Sequence, residues 1–134
     1  MAFVHGRNTY VSLDGNDLST YTNNTEWSRE ADTHDTTTYG KNSKVYEGGL
    51  KDGTATISGT YDNTAVTGPK AVIEPLLGTK VVFVMRPEGT GTGRPERTVD
   101  VVVSSYEETL PVADMVTWSA ELQLSDDVTD TAQI

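Results

Sequence analysis

The sequence predicts a mainly β domain, a β-sandwich or half-barrel of six to seven strands with one short flanking helix. Three observations predict it. Residues 54–61 and 115–124 alternate between apolar and polar side chains, as a strand with one buried face must. β-Branched residues are abundant: there are 21 threonines, and Val is dense after Gly78. Gly68-Pro69 opens a short segment of helical spacing, since Pro suits a first helical position.

The elements follow in order. Residues 9–13 alternate and end in Asp14-Gly15-Asn16-Asp17, a strong turn signal. Residues 18–22 are expected to continue as a short strand, and 24–30 as a strand around Trp27. Residues 31–52 show no period of 2 or 3.6, so a long loop is expected there. It carries Tyr39, Val45, Tyr46 and Leu50, more apolar matter than a flexible linker needs, and so is expected to pack on something. In residues 54–61, Ala55, Ile57, Gly59 and Tyr61 share one face. Val72, Ile73, Leu76 and Leu77 give the helix its apolar stripe, and Gly78 stops it. Pro75 within that stripe predicts a kink or a shortened helix.

Residues 81–86 form a buried strand, and 87–95 a Gly-rich excursion. In residues 97–107, Val99, Val101 and Val103 lie on one face and Asp100 and Ser104 on the other, although Val102 and Tyr106 break the polar side. A turn follows at 110–114. In the last strand Val116, Trp118, Ala120, Leu122 and Leu124 point inward, while Thr117, Ser119, Glu121 and Gln123 point outward. Ile57, Val101, Trp118 and Leu122 are the expected centre of the core. Residues 1–134 thus form one domain, with an N-terminal arm at 1–8 and an unpatterned acidic tail at 125–134.

Charge is distributed unevenly. From Asp100 onward there is no Lys or Arg, yet this stretch holds Asp100, Glu107, Glu108, Asp114, Glu121, Asp126, Asp127 and Asp130. Most of it alternates like strand, so the excess charge sits on an ordered surface. Solvation alone accounts for such a face, and what the surface faces is the question it raises. The formal charge of −10 argues against nucleic-acid affinity, which draws on Lys and Arg. The chain has no Cys, which excludes disulfides and thiolate zinc sites. The N-terminus lacks the apolar run of a signal peptide, and the longest apolar run, residues 81–85, is too short for a bilayer. No membrane association is expected.

Catalytic and ligand-binding motifs are weak. Residues 89–93 have the composition of a phosphate loop, but no helix and no Gly-Lys-Ser/Thr follow, so a mobile hairpin tip is the better reading. Residues 14–17 lack calcium-loop spacing. Asp32, His34 and Asp35 lack a second nearby His for a metal, and no Ser or Thr has a base at recognisable spacing. No enzyme activity, cofactor or metal is expected. Trp27 and Trp118 suit a sugar-stacking platform, but each lies in a strand pattern, where a core role is commoner.

Specific residues then resemble a family. Residues 12–21, Ser-Leu-Asp-Gly-Asn-Asp-Leu-Ser-Thr-Tyr, resemble the opening of short-form phage tail tube proteins of long non-contractile tails. Residues 32–41 followed by 47–53 and 57–62 are similar to that family's loop and next strand, and 111–124 fits its last hairpin. The resemblance runs from about residue 10 to 124, and Pro75 and the Gly-rich tip depart from it.

The resemblance implies a subunit that forms hexameric rings stacked into a tube. Residues 31–52 would be the loop reaching the neighbouring ring, with Thr36, Thr37, Thr38, Tyr39, Lys41, Lys44 and Tyr46 as contacts. Double-stranded DNA would pass down the bore without specific binding. Asp100, Ser104, Thr117, Ser119, Glu121 and Gln123 are the expected lumen-facing residues. Implied partners are further copies, a tape-measure protein, a tail terminator and baseplate or tail-tip proteins. The implied location is the virion tail, with assembly in the host cytoplasm. The alternatives are a soluble carbohydrate- or ligand-binding β-sandwich using Trp27 and tyrosines, another virion protein (decoration or tail-end), and a type VI secretion tube-like subunit.

Overall fold

The computed structural model describes residues 4–64 and 66–134; residues 1–3 of the expected N-terminal arm lie outside these. A 3-10 turn at Gly6–Asn8 precedes the strands β1 (Tyr10–Leu13), β2 (Asn16–Asp17), β3 (Asn24–Asp35) and β4 (Tyr46–Thr60). Helix α1 (Pro69–Ile73) follows, then β5 (Lys80–Arg86), β6 (Pro95–Thr109) and β7 (Thr117–Ala132). The strands form one antiparallel sheet in the order β2-β1-β5-β6-β7-β4-β3.

One face of this sheet is apolar almost throughout. Val11 and Leu13, Ala55 and Ile57, Phe83 and Met85, Val99, Val101 and Val103, and Trp118, Ala120, Leu122 and Leu124 are all buried. Ile57, Val101, Trp118 and Leu122 sit at its centre. A flat sheet would leave that face in water, so it curls. Trp27 on β3 stacks on Phe83 of β5 with ring centroids 6.4 Å apart. Those strands are four places apart in the sheet, which is about 19 Å if flat. The sheet is therefore a half-barrel closed over its own core.

The turn at Asp14-Gly15 takes positive φ at both residues (51° and 79°), which matches the twist of a two-residue hairpin between β1 and β2. Residues 18–22, expected as strand, turn instead. The Leu18 amide donates to the Val11 carbonyl (3.0 Å), the Tyr21 amide to the Leu18 carbonyl (3.1 Å), and Leu18 is buried. The helix is cut short as Pro75 demands: α1 ends at Ile73 and a 3-10 turn, Glu74–Leu76, continues the chain. Val72 and Ile73 are buried, whereas Leu77 is exposed.

Two expectations fail here for the same reason. Residues 31–52 are not a structureless loop: β3 runs to Asp35 and β4 begins at Tyr46, leaving only residues 36–45 as the connection. Residues 125–134 are not a patternless tail: β7 continues to Ala132, opposite Pro95 on β6. In both, a bulge interrupts the register, at Ala31/Thr33 in the first and Thr98/Asp100 in the second. Both segments also lack a fully buried face, so no apolar alternation marks them.

The Gly-rich tip between β5 and β6 is tied down rather than mobile. Gln133 donates from Nε2 to the Gly89 carbonyl (2.8 Å) and accepts from the Gly91 amide at Oε1 (3.0 Å). Its main chain bonds the Gly93 amide and the Arg94 carbonyl, each at 2.8 Å.

Gly59 lies opposite Trp118, where β4 passes beneath the turn after β2. A Cβ there would overlap the Tyr21 carbonyl oxygen, a backbone atom. Gly48 in β4 has open space around it. Gly59→Ala is therefore expected to destabilise the fold by about 1–3 kcal/mol in urea unfolding, while Gly48→Ala leaves the midpoint unchanged.

Candidate functional site

No cavity gathers catalytic groups, and no cluster of metal-ligating side chains occurs among the described residues. The unusual features are surfaces: a projecting arm, an unpaired edge, a polar sheet face and an apolar turn.

The arm is the β3–β4 hairpin. β4 leaves β7 beyond the pair Thr54–Gln123 and continues only with β3. From Thr54 to Tyr46 this extends roughly 27 Å, and every residue from 28 to 48 is exposed. Gln123 holds its base, donating from Nε2 to Asp52 Oδ1 (2.8 Å) and the Gly53 carbonyl (2.9 Å). Thr36, Thr37, Thr38, Tyr39, Lys41, Lys44 and Tyr46 all lie exposed at the far end. Thr37 organises the tip: its amide donates to Asp35 Oδ1 (2.9 Å), and its Oγ1 accepts from the Val45 amide (2.8 Å). The Thr37 side-chain and backbone hydrogen bonds hold the Asp35 carboxyl below its ordinary value. That favours the ordered tip at neutral pH and withdraws the support as pH falls through the lowered value. Tyr39 is fully exposed and Leu50 nearly so. Among the described residues nothing covers these side chains.

The unpaired edge belongs to β3. Strand β4 occupies one side of its 12 residues, and among the described residues no strand occupies the other. At the opposite margin β2 is only 2 residues long. Between the start of β3 and the β1–β5–β6 side lies a cleft of about 740 Å³, lined by Arg7, Thr25, Trp27, Met85 and Arg97 among others. This is the open seam of the half-barrel. Trp27 is engaged there, with Phe83 against it and the Arg97 guanidinium 5.5 Å from its centroid. Trp118 is buried and stacks on Tyr106 at 6.4 Å. Neither ring offers a free platform to a sugar.

The polar face covers β4, β7 and β6. Its cross-strand rows are Thr54–Gln123–Val102, Thr56–Glu121–Ser105, Ser58–Ser119–Glu107 and Thr60–Thr117–Thr109. These rows hold two carboxylates and no cation. Thr117, Ser119, Glu121 and Gln123 thus share one surface. Asp100 lies on the same face, but Lys80 Nζ is 3.9 Å from its carboxylate. That exposed pair stabilises little, though it offsets the Asp100 charge.

The expected alternation breaks after Ser104, which is exposed. Ser104 is the extra residue of a second β6 bulge, between Val103 and Ser105, and its hydroxyl donates to the Glu121 carbonyl (3.0 Å). The bulge inverts the parity of the strand. Ser105, Glu107 and Thr109 therefore join the polar face, and Tyr106 turns to the core beside Trp118. Burial, followed by the Glu108 charge, drives the Tyr106 phenol well above its ordinary pKa. The sequence held the signal for this: Tyr106 broke the polar alternation.

The apolar turn joins β6 to β7 at residues 110–116. Leu110, Val112 and Met115 are exposed there.

No family model matches the chain, and neither does any curated protein sequence. Solved structures do match. A chain of the virion of a native gene transfer agent particle has 13% identity and TM-score 0.79, covering 97% of this chain and 100% of that one. A chain from the tail of an empty gene transfer agent particle, refined with C6 symmetry, has 16% identity and TM-score 0.78, with 97% and 100% covered. A chain of the SPP1 tail tube has 12% identity and TM-score 0.79, with 98% and 81% covered. What this chain shares with them is the fold, over nearly its whole length.

Because nothing from residue 28 to 48 is buried, deleting residues 36–44 is expected to leave the urea midpoint of the single subunit unchanged within about 0.5 kcal/mol.

Proposed function

We propose that this protein is the structural subunit of a phage tail tube, in which hexameric rings stack into a conduit for double-stranded DNA. The observation that carries the reading is the open half-barrel: a long β3 edge stands unpaired beside an unfilled seam. Such an edge invites indiscriminate pairing unless copies of the chain complete it. The likeness of fold to tail chains, one of them in a C6 assembly, supports the same reading.

The polar face of β4, β7 and β6 is the wall of the bore. It presents hydroxyls, amide and carboxylates but no cation in its four rows. Duplex DNA carries about one negative charge per 1.7 Å of axis. A wall of this chemistry offers it nothing to bind, and ring symmetry repeats each side chain around the bore. Glu121 and Glu107 supply the repulsion, with Thr117, Ser119 and Gln123 between them. The arm reaches the adjoining ring. The role is mechanical and not catalytic, and the location is the virion tail after assembly in the host cytoplasm. A tape-measure protein occupies the bore before DNA, and terminator and tail-tip proteins cap the ends.

Negative-stain micrographs of the concentrated protein should show rings or tubes of uniform bore. Protein that stays monomeric even when seeded with tail-tip complexes removes the reading. Glu121→Lys is expected to keep the wild-type circular dichroism and unfolding midpoint yet slow DNA ejection from assembled particles. Unchanged ejection would move Glu121 to the outer wall.

A further inference from the structure

The arm and the apolar turn lie at opposite ends of the subunit. Thr117 begins β7 opposite both Thr60 and Thr109, so the 110–116 turn caps that end. The arm departs beyond Thr54–Gln123, toward the other end. Both carry exposed apolar side chains, and the charges of the two connections differ in sign, with Asp35 and Glu47 flanking the arm tip at the ends of β3 and β4. The only charged side chains in residues 36–46 are Lys41 and Lys44, which sit with exposed Tyr39, Val45 and Tyr46. The only charged side chains in residues 108–116 are Glu108 and Asp114, which sit with exposed Leu110, Val112 and Met115. Glu74 adds to the negative field there, close enough to act on Tyr106.

We propose that the arm tip of one copy docks on the 110–116 turn of the next, pairing Lys41 and Lys44 with Glu108 and Asp114 around an apolar contact of Tyr39 with Val112. The inference rests on self-assembly and names the surface that receives the arm. The two patches differ, so the contact is heterologous, and a heterologous contact that does not close on itself propagates without limit. Every copy offers one tip and one turn, so the stack is polar: all arms point the same way. The apolar side chains supply the attraction, and the opposite charges select the register and reject a tip-to-tip or turn-to-turn encounter.

The competing acidic surface is Asp126 and Asp127 on β7, at the end from which the arm springs. Within β7 no large exposed apolar side chain accompanies it.

The test uses three pairs of substitutions in the full chain. Lys41→Glu with Lys44→Glu should raise the protein concentration needed for tube growth by at least about tenfold. Adding Glu108→Lys with Asp114→Lys in the same chain should restore growth, whereas adding Asp126→Lys with Asp127→Lys should not. Rescue by the Asp126→Lys and Asp127→Lys pair but not by the Glu108→Lys and Asp114→Lys pair, or growth by the Lys41→Glu, Lys44→Glu variant as in wild type, overturns the proposal. Circular dichroism and urea unfolding check that each variant folds. An independent readout exploits the absence of cysteine from the chain. Tyr39→Cys with Val112→Cys, oxidised after assembly, should yield a ladder of linked chains on a non-reducing gel. Intact tubes that yield only monomers overturn the docking alone; wild-type protein that never forms tubes removes the tube reading itself.

Discussion

All the long strands of the body send their apolar side chains to the same face, and that shared face dictates the shape. A single sheet of this kind has no second layer to lie on. It buries its core by rolling over it, which brings Trp27 onto Phe83. Rolling a finite sheet does not join its ends. The outcome is a well-filled core beside a β3 margin whose backbone groups have no strand partner among the described residues, and the seam, the edge and the arm all descend from that geometry. Hydrophobic burial is satisfied within one chain, while hydrogen bonding along the margin is not.

The outward surfaces divide in the same way. The polar face of the sheet is nearly all hydroxyls and carboxylates apart from Lys80, whereas Arg7 and Arg97 lie at the seam and Lys41 and Lys44 in the connection at the arm tip. A uniform scatter of charge would solubilise the protein equally well. Segregation instead gives each surface its own chemistry: hydroxyls and carboxylates on the sheet face, lysines among aromatic side chains at the arm tip, and carboxylates among apolar side chains at the 110–116 turn. Electrostatics of exposed groups contributes little to folding, so this arrangement is about association.

Much of this was legible in the sequence wherever one face was buried. The strands holding Ile57, Val101 and Leu122 alternate because water lies on one side only. The helix was legible from Gly68-Pro69, and its truncation from Pro75. The arm was not, because both its faces meet solvent and the bulge at Asp32 breaks the register. The end of β7 was hidden in the same way: Asp126 takes a positive φ of 78°, and the chain slips before pairing resumes at Thr129. On the polar face, Glu121 and its neighbours were found by counting alternate residues. Glu107 was missed, because counting fails after Ser104. The tip residues of the arm were expected from the family resemblance, whereas the exposed apolar turn at 110–116 shows only in three dimensions.

The bulge at Ser104 also bears on how such a chain can change over generations. Upstream of it β6 turns odd-numbered residues to the core, and downstream it turns the even-numbered Tyr106 there, half-buried. Losing or gaining one residue there would exchange the greasy and wettable sides of the strand at a stroke. Swapping Thr for Ser, or Val for Ile, on either side costs little by comparison. The fold itself tolerates extensive rewriting of its letters, since chains 12–16% identical still overlay 97–98% of this one.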